Sequence, residues 1–145
     1  MTPPIYASDG ISVTYYDSNQ NIIWVQVKRA WTSDDMLYGF EAINRVHAAS
    51  PVPTYTLIEL LGDATLLPAG IRVSTVKYLF EMDFPAEQLC IFINQRLMIR
   101  TLLDSVSHLY GLHHIFAKYR FVETRADGLR LIAGHRATQG MMAGV

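Results

Sequence analysis

The residues able to do chemistry are few and scattered. Gly62-Asp63-Ala64-Thr65 sits just after an apolar run, and Arg72 follows within the next predicted helix. A carboxylate, a hydroxyl and a guanidinium at the end of a strand suit a small anion held by helix N–H groups, because α/β sheets receive ligands at the carboxyl ends of their strands. A tight turn with Asp63 bonding its own backbone and Arg72 in water explains the same residues more simply. Arg100, Asp104 and His108 recur every fourth residue. An acid–histidine pair can move protons, but no nucleophile is spaced with it, and i,i+4 ladders are ordinary decoration of an exposed helix face. His113 and His114 are adjacent and, in an extended segment, point to opposite sides, so they do not chelate one metal; no cysteine nearby completes a zinc pattern. His47 falls on the apolar stripe of a predicted helix, at its boundary. Cys90 lies mid-strand between Leu89 and Ile91 and reads as an inert buried thiol. Glycine-rich nucleotide loops and serine elbows are absent from the sequence. No cofactor, metal or catalytic set is expected.

The elements that must position these residues follow from periodicity. Residues 11–16 and 22–27 alternate as strands, and Asp17 to Asn21 supply turn chemistry, so the two form an antiparallel hairpin. Thr32 caps a first helix whose stripe is Met36, Phe40, Ile43 and His47; Pro51 and Pro53 close it. A strand over 55–60 leads through the loop 61–67 to Pro68, which suits a first helical turn. A second helix spans 69–81 with Val73, Val76, Leu79 and Phe80 inward. The strand 89–93 is apolar on both faces, as central parallel strands are. A third helix covers 95–110 and stops at Gly111. A strand over 119–123 and a last helix capped by Thr124, packing through Leu129, Leu131 and Ile132, complete the chain. A frayed tail is expected beyond Gly134, and a short flexible segment before residue 11. The order is β-β-α-β-α-β-α-β-α: one α/β domain with a mixed, mostly parallel sheet.

Composition narrows the functions. Half of the 145 residues are hydrophobic and 17% are charged, which excludes a disordered chain. That apolar share points to surface covered by a partner, most simply a second copy in a homodimer. With a net charge of −1 and no basic stripe, phosphate neutralisation has nothing to work with, so nucleic-acid binding is not expected. The N-terminal residues do not read as a signal peptide, no apolar run is long enough to be an integral membrane segment, and a single cysteine fits a reducing compartment; a cytoplasmic location is expected.

The order of elements resembles the STAS domain of bacterial anti-sigma-factor antagonists, the SpoIIAA-like family. Three stretches carry the resemblance: Leu57-Ile58-Glu59-Leu60 followed by Pro68-Ala69-Gly70-Ile71; Gly111-Leu112 with Ile115-Phe116; and Phe121-Val122-Glu123-Thr124-Arg125 followed by Leu129. It covers about residues 11–134. It implies a non-catalytic regulatory or protein-interaction domain, engaging its partner through the second helix and the loop before it. In phospho-switch members a serine or threonine opens that helix. Aligned on Gly70, this chain has Pro68 and Ala69 there, and Thr65 and Ser74 fall out of register, so the switch is not expected. The candidate binding residues are Asp63, Thr65, Pro68, Gly70 and Arg72. The alternative is a small-molecule or lipid-binding domain, enzymatic or not, using the same loop.

Overall fold

The computed structural model describes residues 4–17, 21–28, 31–62, 68, 70–72, 74–75, 78–79, 85–93 and 117–143. Alternation sets the first sheet strands. In β2 (Ile11–Asp17) Ile11 and Val13 are fully buried, while Ser12 and Thr14 between them are only partly so. β3 (Ile22–Val27) pairs with it antiparallel in the expected hairpin. At the turn Asn21 takes a left-handed φ of 56°, a conformation its short polar side chain tolerates better than most.

One strand was not legible. β1 (Tyr6–Ala7) adds to the free edge of β2, antiparallel, with Tyr6 opposite Val13. Two residues carry no period, so the sequence could not distinguish this strand from the flexible lead expected there. The sheet runs β1-β2-β3-β4-β5-β6, with β4 spanning Thr54–Leu60, β5 Glu87–Ile93 and β6 Tyr119–Val122. β3–β4, β4–β5 and β5–β6 are parallel. The sheet is therefore mixed, with two antiparallel pairings instead of the single one expected.

Helix α1 (Ser33–Ala49) begins as its sequence dictates. Thr32 accepts from the Asp35 amide at 3.1 Å, and the Asp35 carboxylate accepts from the Thr32 amide at 2.8 Å. This reciprocal cap satisfies two N–H groups the helix leaves free. Burial raises the pKa of Asp35, but hydrogen bonds from Ser8 and Thr32 outweigh it and hold the carboxyl below its ordinary value. Met36, Phe40, Ile43 and His47 are all buried, and each apolar member contributes roughly 1.5–3 kcal/mol by leaving water. They pack on one face of the sheet with Ile23, Val25, Ile58, Leu60, Cys90 and Phe92.

Helix α2 (Arg125–Ala143) covers the opposite face, against Ile22, Tyr55, Leu57, Leu89, Ile91 and Ile93. Gly128 lets it approach closely: a Cβ there would sit 3.1 Å from Leu57 Cδ2 and 3.3 Å from Ile91 Cγ2. Two expectations change here. Leu131 is exposed rather than packed, because Ile132 takes the inward position. The helix also continues to Ala143 instead of fraying at Gly134; Gly134 and Gly140 each cost a helix only about 1 kcal/mol, and Arg136, Ala137 and Gln139 between them favour it.

Of the second predicted helix, residues 74–75 and 78–79 are helical, and Leu79 joins the core on the α1 face. Val73, Val76 and Phe80, the whole predicted third helix with Arg100, Asp104 and His108, and His113 and His114 beyond it, lie outside the described residues.

Candidate functional site

Parallel strands give the sheet two chemically different ends, and polar groups gather at both.

At the carboxyl end, register places Gln26 of β3 beside Glu59 of β4. Gln26 interrupts an otherwise apolar strand, and Glu59 sits between the apolar Ile58 and Leu60. The first residue of α2, Arg125, reaches over β4 and pairs with Glu59, its Nη2 lying 3.2 Å from Oε1 and 3.4 Å from Oε2. Gln26 Nε2 donates to the same carboxylate at 3.4 Å. The guanidinium lies 4.5 Å above the Trp24 ring centroid, and Tyr16 meets that ring edge-on at 5.6 Å. Arg125 is 41% exposed, so the attraction is screened and worth at most about 1 kcal/mol. Its Nε and the Trp24 Nε1 are buried without a hydrogen-bond partner. Gln26, Glu59, Gly62, Glu123, Thr124 and Arg125 line a cleft of about 330 Å³. Thr124 accepts from the Asp127 amide at 3.2 Å, so this hydroxyl is committed to capping α2. Hydrogen bonds to the Asp127 carboxylate from the Thr124 side chain, and then from the Arg130 side chain, lower its pKa.

This is the end where the sequence placed a site, and the described residues of the cleft there are others. Asp63 and Thr65 lie outside the described residues. Pro68 is buried; its carbonyl accepts from the Ile71 amide at 3.4 Å, a structural turn. Gly70 is exposed with φ +74°, a conformation that favours glycine. Arg72 is exposed, its carbonyl accepting from Thr75. The structure does not bring Pro68, Gly70 or Arg72 into the cleft's described lining. The sequence signal for the actual lining was the pair of polar breaks, Gln26 and Glu59, near the carboxyl ends of adjacent apolar strands.

At the amino end lies a cluster the sequence reading missed. His47, read there as a boundary residue, is 2% exposed and lies over the start of β4 and β5. Its Nδ1 is 2.7 Å from Thr54 Oγ1. Its Nε2 is 2.8 Å from Glu87 Oε2 and 3.0 Å from Thr56 Oγ1. Thr56 donates to Glu87 Oε2 at 2.9 Å. Thr54 and Thr56 are 1% exposed, so each hydroxyl needs such a partner. With Glu87 ionised, Nε2–H donates to it and Nδ1 accepts from Thr54, which fixes the tautomer. A hydroxyl, an imidazole and a carboxylate thus stand in line. Thr54 also lines a cleft of about 450 Å³ outside this network.

Cys90 sits between the two ends. Burial, with the Glu87 carboxylate adding, pushes its thiol well above the ordinary value; Lys118 opposes weakly. It stays neutral and unreactive near neutral pH. Tyr55, on the α2 face, meets His135 Nδ1 at 2.8 Å. Its pKa is raised by burial against the pull of Arg136, which lies over its ring.

Together the fold and these clusters define an α/β chain with a six-strand mixed sheet and helices on both faces. Comparison with protein-family models, with curated proteins and with solved structures gave no match. Among the described residues no helix is long and apolar enough to cross a membrane, and no group of three or more metal-binding side chains occurs.

Proposed function

We propose that this chain is a non-catalytic, STAS-like protein-interaction domain without the serine phospho-switch. Its contact surface is the segment 70–79 that follows the carboxyl end of β4. The observation carrying this reading is the split character of that segment. Leu79 is buried in the core, whereas Arg72 and Ser74 face solvent and Tyr78 is 45% exposed. An exposed tyrosine and arginine on one short segment are the residue types that dominate binding energy at protein interfaces. The reading rests on the sequence resemblance given above and on the broad α/β class with a six-strand mixed sheet. A second copy of the chain is the simplest partner.

Sedimentation equilibrium at high micromolar concentration tests it. The wild-type chain sediments as a dimer, and Arg72→Glu with Tyr78→Ala sediments as a monomer of unchanged helical content. A wild-type monomer that also captures no partner through this segment contradicts the proposal.

A second reading, a small-molecule domain, has one observation of its own: the cleft beside Gly62, with the Glu59–Arg125 pair in its wall. Under that reading Arg125→Met abolishes ligand-induced thermal stabilisation while leaving self-association intact.

A further inference from the structure

The sheet edge beside β2 has a thin cover. β1 lends two residues to the ladder, Tyr6 opposite Val13 and Ala7 opposite Ser12. The Ile5 amide donates to the Val13 carbonyl at 2.8 Å. Pro4 has no N–H to offer the next position, Tyr15, so the cover stops there. Ile5 and Tyr6 are half-buried against the core, and Ala7 is exposed. The corner that joins β1 to β2 is built differently. Ser8 Oγ accepts from the Gly10 and Ile11 amides at 3.2 and 3.3 Å, and its hydroxyl donates to Asp35. The Ser8 amide donates to the Ile11 carbonyl, and the Lys28 amide to the Gly10 carbonyl, each at 2.8 Å. Gly10 is buried, and a Cβ there would lie 2.4 Å from Trp31 Cα.

We propose that β1 is a detachable cover: it lifts off β2 about the Ser8–Gly10 corner while the rest of the fold stays closed, and the bared β2 edge pairs antiparallel with the same edge of a second copy.

The lifting follows from the contrast in hold. A strip with two half-buried side chains, next to a corner fixed from three elements, opens at far less cost than the whole fold. The pairing follows from what lies beneath. Because the Val13 carbonyl faces β1, alternation turns the N–H and C=O of Ile11, Val13 and Tyr15 to the same edge. β2 is rich in β-branched and aromatic residues, and no lysine or proline within it guards that edge. β1 is therefore its guard. A second copy supplies an identical edge, and two antiparallel copies of one strand satisfy each other about a two-fold axis.

Native-state hydrogen exchange on the full chain tests the lifting. The Ile5 amide exchanges about a hundredfold faster than the amides of β4 and β5. Ile132→Ala, which loosens the whole fold from the α2 face, speeds the β4 and β5 amides and leaves Ile5 unchanged. An Ile5 amide that keeps pace with β5 in both chains overturns the proposal. Two variants test the pairing. Ile5→Asp with Tyr6→Asp holds the cover off, and Ala7→Cys with Ser12→Cys, oxidised, clamps it down. In sedimentation equilibrium at one concentration the lifted chain associates more than the clamped one, and its Val13 and Tyr15 amides gain protection as concentration rises. Equal association of the two variants, or extra association that leaves those amides unprotected, overturns the pairing. A lifted chain that loses protection in β4 and β5 overturns the lifting, since β1 then belongs to the global fold. Both variants keep the segment 70–79, so the comparison does not depend on whether that segment binds a partner.

Discussion

The two ends of the sheet each hold a polar cluster around one glutamate, under opposite conditions. At the amino end His47, Thr54 and Thr56 are almost wholly buried, and their side-chain polar atoms have partners. At the carboxyl end Arg125 is nearly half exposed, and two nearby nitrogens, its own Nε and Trp24 Nε1, have none. A buried, satisfied network rigidifies and is costly to break; an exposed pair is screened and tolerant. The amino end therefore anchors α1 to β4 and β5, while the carboxyl end tolerates the rearrangement that binding demands.

Breaking the anchor has the largest effect. His47→Ala strands the buried Thr54 hydroxyl beside a cavity, leaves Glu87 with Thr56 alone, and lowers stability by about 3 kcal/mol, read from the urea midpoint. A loss below about 1 kcal/mol, the ceiling for an exposed pair, removes the contrast between the ends. The same variant makes Cys90 react sooner, because a less stable chain opens more often. In the wild type, iodoacetamide labels this thiol only as fast as the chain opens; His47→Ala speeds labelling sharply, and Arg125→Met leaves it nearly unchanged. Because burial raises the thiol's pKa, its contribution to stability is complete below the ordinary value of 9.0 and is lost as pH rises through the raised one.

Arg125→Met is the weaker cut. It costs about 1 kcal/mol or less, changes the Trp24 fluorescence, and reduces the dependence of stability on salt. The smallest effect concerns the cap of α1. The Asp35 pKa is lowered by folding, so its contribution is present above the ordinary value of 3.8 and lost as pH falls through the lowered one. Asp35→Asn removes that acid-side slope in a pH series of thermal midpoints.

These clusters were unequally legible. Alternation located β2 and β3, short apolar-rich runs located β4, β5 and β6, and the period-3.6 stripe located α1 and the start of α2. Tyr6–Ala7 was too short to show a period. Leu131 reads as core in the sequence because α2 carries apolar residues on several sides, and only the tertiary contact through Gly128 decides which face turns in. The candidate site was legible in position but not in chemistry. Strand order pointed to the carboxyl ends, whereas the cluster there joins Glu59 to Arg125 across 66 residues. His47 stood out on an apolar stripe, but its meaning depends on Thr54 and Thr56 facing inward and on Glu87 reaching it from the next strand.

The central claim, a protein-binding surface at 70–79, is tested most directly by a photo-crosslinking residue placed at Tyr78 or, as control, at Tyr38, an equally exposed tyrosine on α1. The account predicts one defined crosslinked species from position 78, which mass spectrometry assigns to a second copy of the chain or to one partner protein, and none from position 38. Equal yields from both positions, or no product from 78, would contradict it.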